Sequence, residues 1–253
     1  MAIISLENVS FTHGQDTPYA IKALENINLT ITPGKITGLI GHTGSGKSTL
    51  VELFNGILKP ESGKVMLDGV DIWDNPKEIR KVRFRIGLVM QYPEYQLFEE
   101  TIEKDIAFGP KNMGLPEDEI HQRVLEAASF VGLDSEMLAK SPFDLSGGQK
   151  RRAAIAGVIA MRPDVLVLDE PAAGLDPAGR DSIFSNIAEY QRKSGSTVVI
   201  VSHSMEDMAR FCDELIVMSE GHIIMQGTRD EVFAKELMQT PVFILSMPRL
   251  TRC

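Results

Sequence analysis

The spacing of apolar residues changes period repeatedly along the chain. Runs at 3–12, 24–31, 36–40, 85–90, 165–168, 197–201 and 215–218 have the length and β-branched character of strands. Between some of them the apolar residues recur every three or four positions, as at Leu50, Leu53, Phe54 and Ile57. That spacing predicts a helix that tolerates Gly56 near its end. Strands alternating with helices predict an α/β fold around a largely parallel sheet. Asp68-Gly69 marks a turn. From Gln91 to Gly157 strand signals fade and helical segments replace them. One opens at Pro116 with Glu117, Asp118 and Glu119 in its first turn, where the helix dipole favours acids, and its apolar face is Ile120, Val124, Ala127 and Val131. Further helices are expected from about Pro177 and Ser204. The predicted division is a core at 1–90 and 158–227, an inserted helical subdomain at about 91–157, and a C-terminal helix and irregular tail at 228–253.

Composition narrows the partners more than the fold. The 253 residues suffice for a large core, and 43% hydrophobic with 24% charged residues is ordinary for a globular chain. No apolar run approaches the ~18 residues that span a bilayer. The first residues lack a basic segment followed by a long apolar one, so no secretory signal is expected. Cys212 and Cys253 form neither a disulfide framework nor a metal-ligand spacing, which predicts a reducing compartment. A net charge of −9 without a lysine–arginine stripe argues against nucleic acid as the main partner, yet permits docking on a membrane protein.

The chemistry begins at Gly41-His42-Thr43-Gly44-Ser45-Gly46-Lys47-Ser48-Thr49, a G-x-x-x-x-G-K-[ST] pattern between a predicted strand and a predicted helix. Glycines let successive N–H groups curl around phosphate oxygens, and the helix N-terminus adds positive potential. Lys47 is expected to reach the β- and γ-phosphates, and the Ser48 hydroxyl to ligate Mg²⁺. A second element is Val165-Leu166-Val167-Leu168-Asp169-Glu170, an apolar strand ending in two carboxylates. Open α/β sheets bind ligands at such strand ends. Alone, this could equally be a solvated strand end. Beside a phosphate loop it predicts Asp169 on Mg²⁺ and Glu170 as general base for an attacking water. A third element, Leu145-Ser146-Gly147-Gly148-Gln149, places a serine and two glycines at a helix start, where backbone N–H groups and a hydroxyl can face an anion.

The order of phosphate loop, Gln91, Leu145-Ser146-Gly147-Gly148-Gln149, Asp169-Glu170, Gly174-Leu175-Asp176 and His203 resembles the ATPase subunits of ATP-binding cassette transporters. The resemblance implies a P-loop NTPase with a RecA-like core, an antiparallel β subdomain and an inserted helical subdomain. It implies ATP with Mg²⁺ sandwiched between the phosphate loop of one subunit and the signature motif, Ser146, Gly147, Gly148 and Gln149 here, of another. Gln91 would stand near Mg²⁺ and the attacking water, His203 would contact the γ-phosphate, and Asp176 would communicate across the dimer. Taken alone, His203 reads more readily as part of a helix cap with Ser202 and Ser204. The family's adenine-stacking aromatic falls at His13, a departure that leaves base contact less secure than phosphate contact.

Finer stretches resemble the energy-coupling factor branch, whose members take up vitamins and transition-metal ions. Gln91-Tyr92-Pro93-Glu94-Tyr95-Gln96-Leu97-Phe98 is similar to its short extra helix, and Thr17-Pro18-Tyr19-Ala20-Ile21-Lys22-Ala23-Leu24 to an insertion of its second, A-prime ATPase subunit. That implies a heterodimer with a homologous A subunit on the cytoplasmic face of a prokaryotic membrane. It also implies docking of a membrane T component near Gln91, Pro93, Gln96, Leu97 and Phe98, with S components engaged indirectly. Local helix packing is the other reading of Tyr92, Tyr95 and Phe98. A soluble cassette ATPase and the ATPase of an ordinary importer stay open as alternatives. Phe243-Ile244-Leu245-Ser246-Met247-Pro248 fits the family poorly.

Overall fold

The computed structural model describes residues 3–239, so Cys253 and the tail stretch 243–248 lie outside the described residues. In chain order the strands are β1 (Ile4–His13), β2 (Ile21–Ile31), β3 (Ile36–Ile40), β4 (Ser62–Leu67), β5 (Val70–Asp71), β6 (Ile86–Val89), β7 (Val165–Asp169), β8 (Thr197–Val201), β9 (Glu214–Ser219) and β10 (His222–Thr228). The helices are α1 (Lys47–Phe54), α2 (Ile79–Arg85), α3 (Ile102–Asn112), α4 (Glu117–Phe130), α5 (Ser135–Leu138), α6 (Gly147–Ile159), α7 (Pro177–Ser194), α8 (Met205–Phe211) and α9 (Arg229–Gln239). Among the described residues no helix is long and apolar enough to cross a membrane.

Two sheets result. One is six-stranded, ordered β10-β9-β3-β8-β7-β6, and parallel throughout except for β10 against β9. The other is antiparallel, ordered β2-β1-β4-β5. The strands β3, β7 and β8 are buried along their whole length, as a parallel strand covered on both faces must be. Their side chains alternate between two cores. Val165, Val167, Val199 and Val201 join α1 and the antiparallel sheet. Leu166, Leu168, Val198 and Ile200 join the helical side, with residues of α3, α4, α6, α7 and α8. One uninterrupted apolar run thus welds two layers together.

Local chemistry sets the element ends. The helix α1 stops at Phe54, and Ile57 leaves the predicted face. Gly56 takes a left-handed φ of 70°, the Gly56 N–H donates to Leu53 O, and the Ile57 N–H donates to Glu52 O, a Schellman closure. Asp68 and Gly69, both at positive φ, make the tight turn between β4 and β5. The helix α4 starts after Pro116 as the acidic first turn predicts, burying Ile120, Val124 and Ala127. The pairing of His13 with Ile21 carries the β1–β2 hairpin beyond the apolar pattern, so β2 begins before the predicted 24. Four elements lacked a readable pattern: β4 and β5, α2, which has no fully buried residue, and β10, an edge strand with none either.

The clearance between sheet and α8 is narrow at Gly38 in β3. A Cβ there would come within 2.7 Å of Leu215 Cδ2 and Met208 Sδ and 2.9 Å of Cys212 Sγ. Gly38→Ala is therefore expected to cost about 1–3 kcal/mol by overpacking, seen as a lower urea midpoint at unchanged m-value.

Candidate nucleotide site

A parallel sheet delivers all its strand ends to one side. The pairings Leu39 with Val201, Asp169 with Val201 and Val89 with Leu168 set β3, β8, β7 and β6 in step. The segments that follow these strands therefore emerge along one edge: the glycine loop from Gly41, His203, Asp169-Glu170 and Gln91.

The loop wraps from Gly41 to the start of α1. Lys47 Nζ donates to Gly41 O at 2.8 Å and His42 O at 2.9 Å, so the ammonium is already curled into the loop. Burial pushes the Lys47 pKa down, while the charges of Glu170 and Asp169 oppose that shift. The preceding residue, Gly46, has φ 99° and offers α1 no side-chain cap. The first N–H groups of α1 thus keep their donor capacity for an outside acceptor. Ser45 Oγ is buried and unpartnered among the described residues, a further free polar group within the loop. His42 Nδ1 lies 2.8 Å from Thr43 O, and Thr43 and Gly44 form the exposed crest. At the end of β1, His13 Nε2 lies 3.0 Å from Thr49 Oγ1, and the ring stands edge-on to Phe11 at 5.0 Å. The position expected to meet the base is thus tied directly to the phosphate helix.

Across the edge, burial pushes the Asp169 carboxyl above its usual range, opposed by a hydrogen bond with Ser48. Ser48 and Asp169 are both oxygen donors, the ligand type Mg²⁺ takes. Among the described residues no cluster of three or more His, Cys, Asp or Glu could hold a metal alone. Glu170 follows with φ 50°, an uncommon left-handed backbone for a glutamate, its N–H donating to Val201 O at 3.0 Å. Its carboxylate Oε1 lies 2.9 Å from His203 Nδ1, and the imidazole is largely exposed. Gln91 is exposed at the foot of the helical block.

The other predicted anion contact lies elsewhere. Ser146 caps α6 in a reciprocal box: the Gln149 N–H donates to Ser146 Oγ at 3.3 Å and the Ser146 N–H to Gln149 Oε1 at 2.8 Å. Gly147 faces open space. No hydrogen bond among the described residues joins 146–149 to the loop at 41–49. Asp176 caps α7, accepting from the Gly179 N–H at 2.7 Å. Sequence reasoning missed Arg151, Glu94, Arg180 and Asp207. Arg151, buried in α6, pairs with Glu94, and Asp207 of α8 lies 3.4 Å from Arg180 of α7. A charged residue inside an otherwise small and apolar helix face was the only available signal for Arg151.

Free donors on one side and a carboxylate–hydroxyl pair on the other suit a metal-chelated polyphosphate, which defines a P-loop nucleoside triphosphatase. Residues 24–173 match the ABC transporter family. The energy-coupling factor transporter ATP-binding protein EcfA2 of Caldanaerobacter subterraneus subsp. tengcongensis is 53% identical over 248 residues, covering 98% of this chain and 86% of its own length. The protein of the same name from Clostridioides difficile is 51% identical over 251 residues, with 99% and 87% covered. Among solved structures, cbiO1 of Clostridium perfringens, part of the ABC transporter complex cbiONQ, superposes with a TM-score of 0.84 at 42% identity, covering 94% of this chain and 92% of its own. The cassette MJ0796, a dimer in a post-hydrolysis state bound to ADP and Pi, gives 0.80 at 29% identity, covering 89% and 98%. The chain belongs to the ABC transporter family and, within it, to the ATP-binding proteins of energy-coupling factor transporters. It is an ATP-hydrolysing subunit of a membrane-associated transporter.

Gly46→Ala would put a Cβ within 2.7 Å of Ala23 O at a φ of 99°. The expected result is at least a tenfold loss of affinity for a fluorescent ATP analogue in equilibrium titration, as ~1–2 kcal/mol of left-handed strain distorts the loop.

Proposed function

We propose that this chain supplies half of each of two composite ATP sites, facing a homologous ATPase subunit head to tail in a transporter of vitamins or transition-metal ions. The observation that carries this reading is the separation within one chain of two complementary helix starts. One, at α1, keeps uncapped N–H groups and a lysine for phosphate. The other, at α6, opens to solvent through Gly147 without bonding the loop of its own chain. Two such chains set head to tail bring each start to the other's nucleotide. The dimeric state described for MJ0796 supports the arrangement.

In this reading Gly41, His42, Thr43, Gly44, Ser45, Gly46, Lys47, Ser48 and Thr49 cradle the phosphates and His13 borders the base. Mg²⁺ is held by Ser48 and Asp169 with Gln91 nearby, and it neutralises phosphate charge when bound. Glu170 accepts the proton of the attacking water. Its left-handed backbone aims the carboxylate along the strand-end edge, and His203, 2.9 Å away, holds it there and meets the γ-phosphate. The core at 1–90 and 158–227 carries these groups. The helical subdomain at about 91–157 carries Ser146, Gly147, Gly148 and Gln149 toward the partner. Hydrolysis removes the charge that both halves grip, so the halves part.

The membrane side of the proposal rests on 91–98. Pro93 to Gln96 form a single 3₁₀ turn rather than an α-helical segment, opening at Tyr92 with φ 55°. Tyr95 and Phe98 are exposed, which disfavours the local-packing reading, and Phe98 stacks edge-on to exposed Phe108 at 5.0 Å. Beside them Leu97 is half-buried against the helical core. An apolar surface of this kind beside Gln91 suits the amphipathic helices of a membrane T component on the cytoplasmic face, with S components reached through it.

Glu170→Gln should lower kcat of the assembled complex by about 100-fold or more while leaving ATP binding intact. The same change made in the partner serves as control. If only the partner's change mattered, this chain's own Glu170 would be regulatory. Leu97→Asp should release the subunit from membranes or abolish uptake in vesicles, and unchanged assembly with unchanged uptake would remove 91–98 from the docking role.

A further inference from the structure

One guanidinium joins three segments of the site. Arg151, on the first turns of α6, is 3% exposed. Its Nε and Nη2 donate to the two carboxylate oxygens of Glu94 at 3.0 and 2.7 Å, in the 3₁₀ turn at 93–96. Its Nη1 donates to the carbonyl of Ala173, in the loop that leaves Glu170 for Asp176. The ring of Tyr92 stands 5.9 Å from the same group. The turn, the signature helix and the loop after Glu170 therefore share one buried cation.

The chemistry makes this junction directional. A guanidinium fork holds a carboxylate in one plane, so a displaced Glu94 carries Arg151 with it or leaves a buried charge unpaired. Ala173 is in turn bound to the site, its N–H donating to Glu170 O at 3.1 Å. By contrast, pairs such as Lys104 with Glu100 or Lys22 with Glu25 stand in solvent, where screening weakens them. We infer that Arg151 is a positioning residue that couples the turn at 92–96 to the loop at 170–176, so that occupancy of the turn by a membrane partner sets the rate of hydrolysis. The inference rests on the proposed docking at 91–98 and adds to it the residue that carries the signal inward.

The test compares ATP hydrolysis by the complete transporter in liposomes with that of the isolated pair of ATPase subunits, for the wild type, Arg151→Lys and Glu94→Gln. Arg151→Lys keeps the charge but cannot make the fork and the carbonyl bond together. Glu94→Gln keeps the shape and one oxygen acceptor. The expected result is that the ratio of kcat in the complex to kcat of the isolated pair falls at least fivefold in both variants. KM for ATP should stay within twofold, and both variants should still assemble on the membrane. A ratio within twofold of wild type in either variant overturns the proposal. So does a parallel fall of both kcat values, the mark of a merely structural pair, or loss of assembly in both variants, which would make the pair a docking element. If Arg151→Lys does not fold, the ratio for Glu94→Gln decides alone. A wild-type ratio of one would instead end the docking reading itself, and the coupling with it.

Discussion

A parallel strand covered on both faces can carry charge only where it ends. Val165, Leu166, Val167 and Leu168 are fully buried, and the first polar side chain of that strand is Asp169 at its carboxyl end. Its neighbour β8, and β3 on the far side of β8, obey the same rule, so His203 and the glycine loop emerge along the same edge. The hydrophobic demand that welds the two cores therefore also fixes where charged and polar side chains can gather. The loop, the carboxylates and the histidine meet because none of them could have been placed further back along its strand.

Within that edge the division of labour follows hydrogen-bond satisfaction. The other helices that begin along this edge close their own N-termini, Asp176 on α7 and Ser204 on α8, as Ser146 does on α6 away from it. The exception is α1, whose capping position is a glycine with no side chain to give. The start of α1 is thus left without a side-chain cap by its sequence, which leaves its N–H groups open to an outside acceptor. The α6 start is complete in itself yet open to solvent at Gly147. Such a start can add a partner's anion without depending on it for folding.

How much of this could be read beforehand depended on whether a signal was local. Phosphate-loop, strand-end and helix-cap patterns are written in neighbouring residues, so Lys47, Asp169 and Ser146 stood out as candidates from the string alone. The buried β3, β7 and β8 announced themselves because burial on both faces leaves an unbroken apolar run. Elements whose residues face water lacked such a pattern: α2 buries none of its seven residues, and β10 alternates without a buried position. Least legible were pairings between distant segments. Glu94 and Arg151 are separated by 57 residues, and only the packing of α6 beneath the 93–96 turn brings them together. The short helix that the resemblance implied at 91–98 is a single 3₁₀ turn at Pro93–Gln96, because Tyr92 at positive φ and Pro93 after it leave room for no more.

The left-handed backbone of Glu170 has an evolutionary side. At φ 50° a glutamate holds a conformation that costs about 1–2 kcal/mol and that glycine would adopt freely. Judged by folding alone, glycine or asparagine would suit the position better, and the more durable protein would be the one without this carboxylate. The fold thus stores a small, permanent opposition between endurance and side-chain chemistry at Glu170, the carboxylate proposed to accept a proton from water. Screens that select this chain for thermal endurance alone would be drawn toward forms that lack the carboxylate at that position.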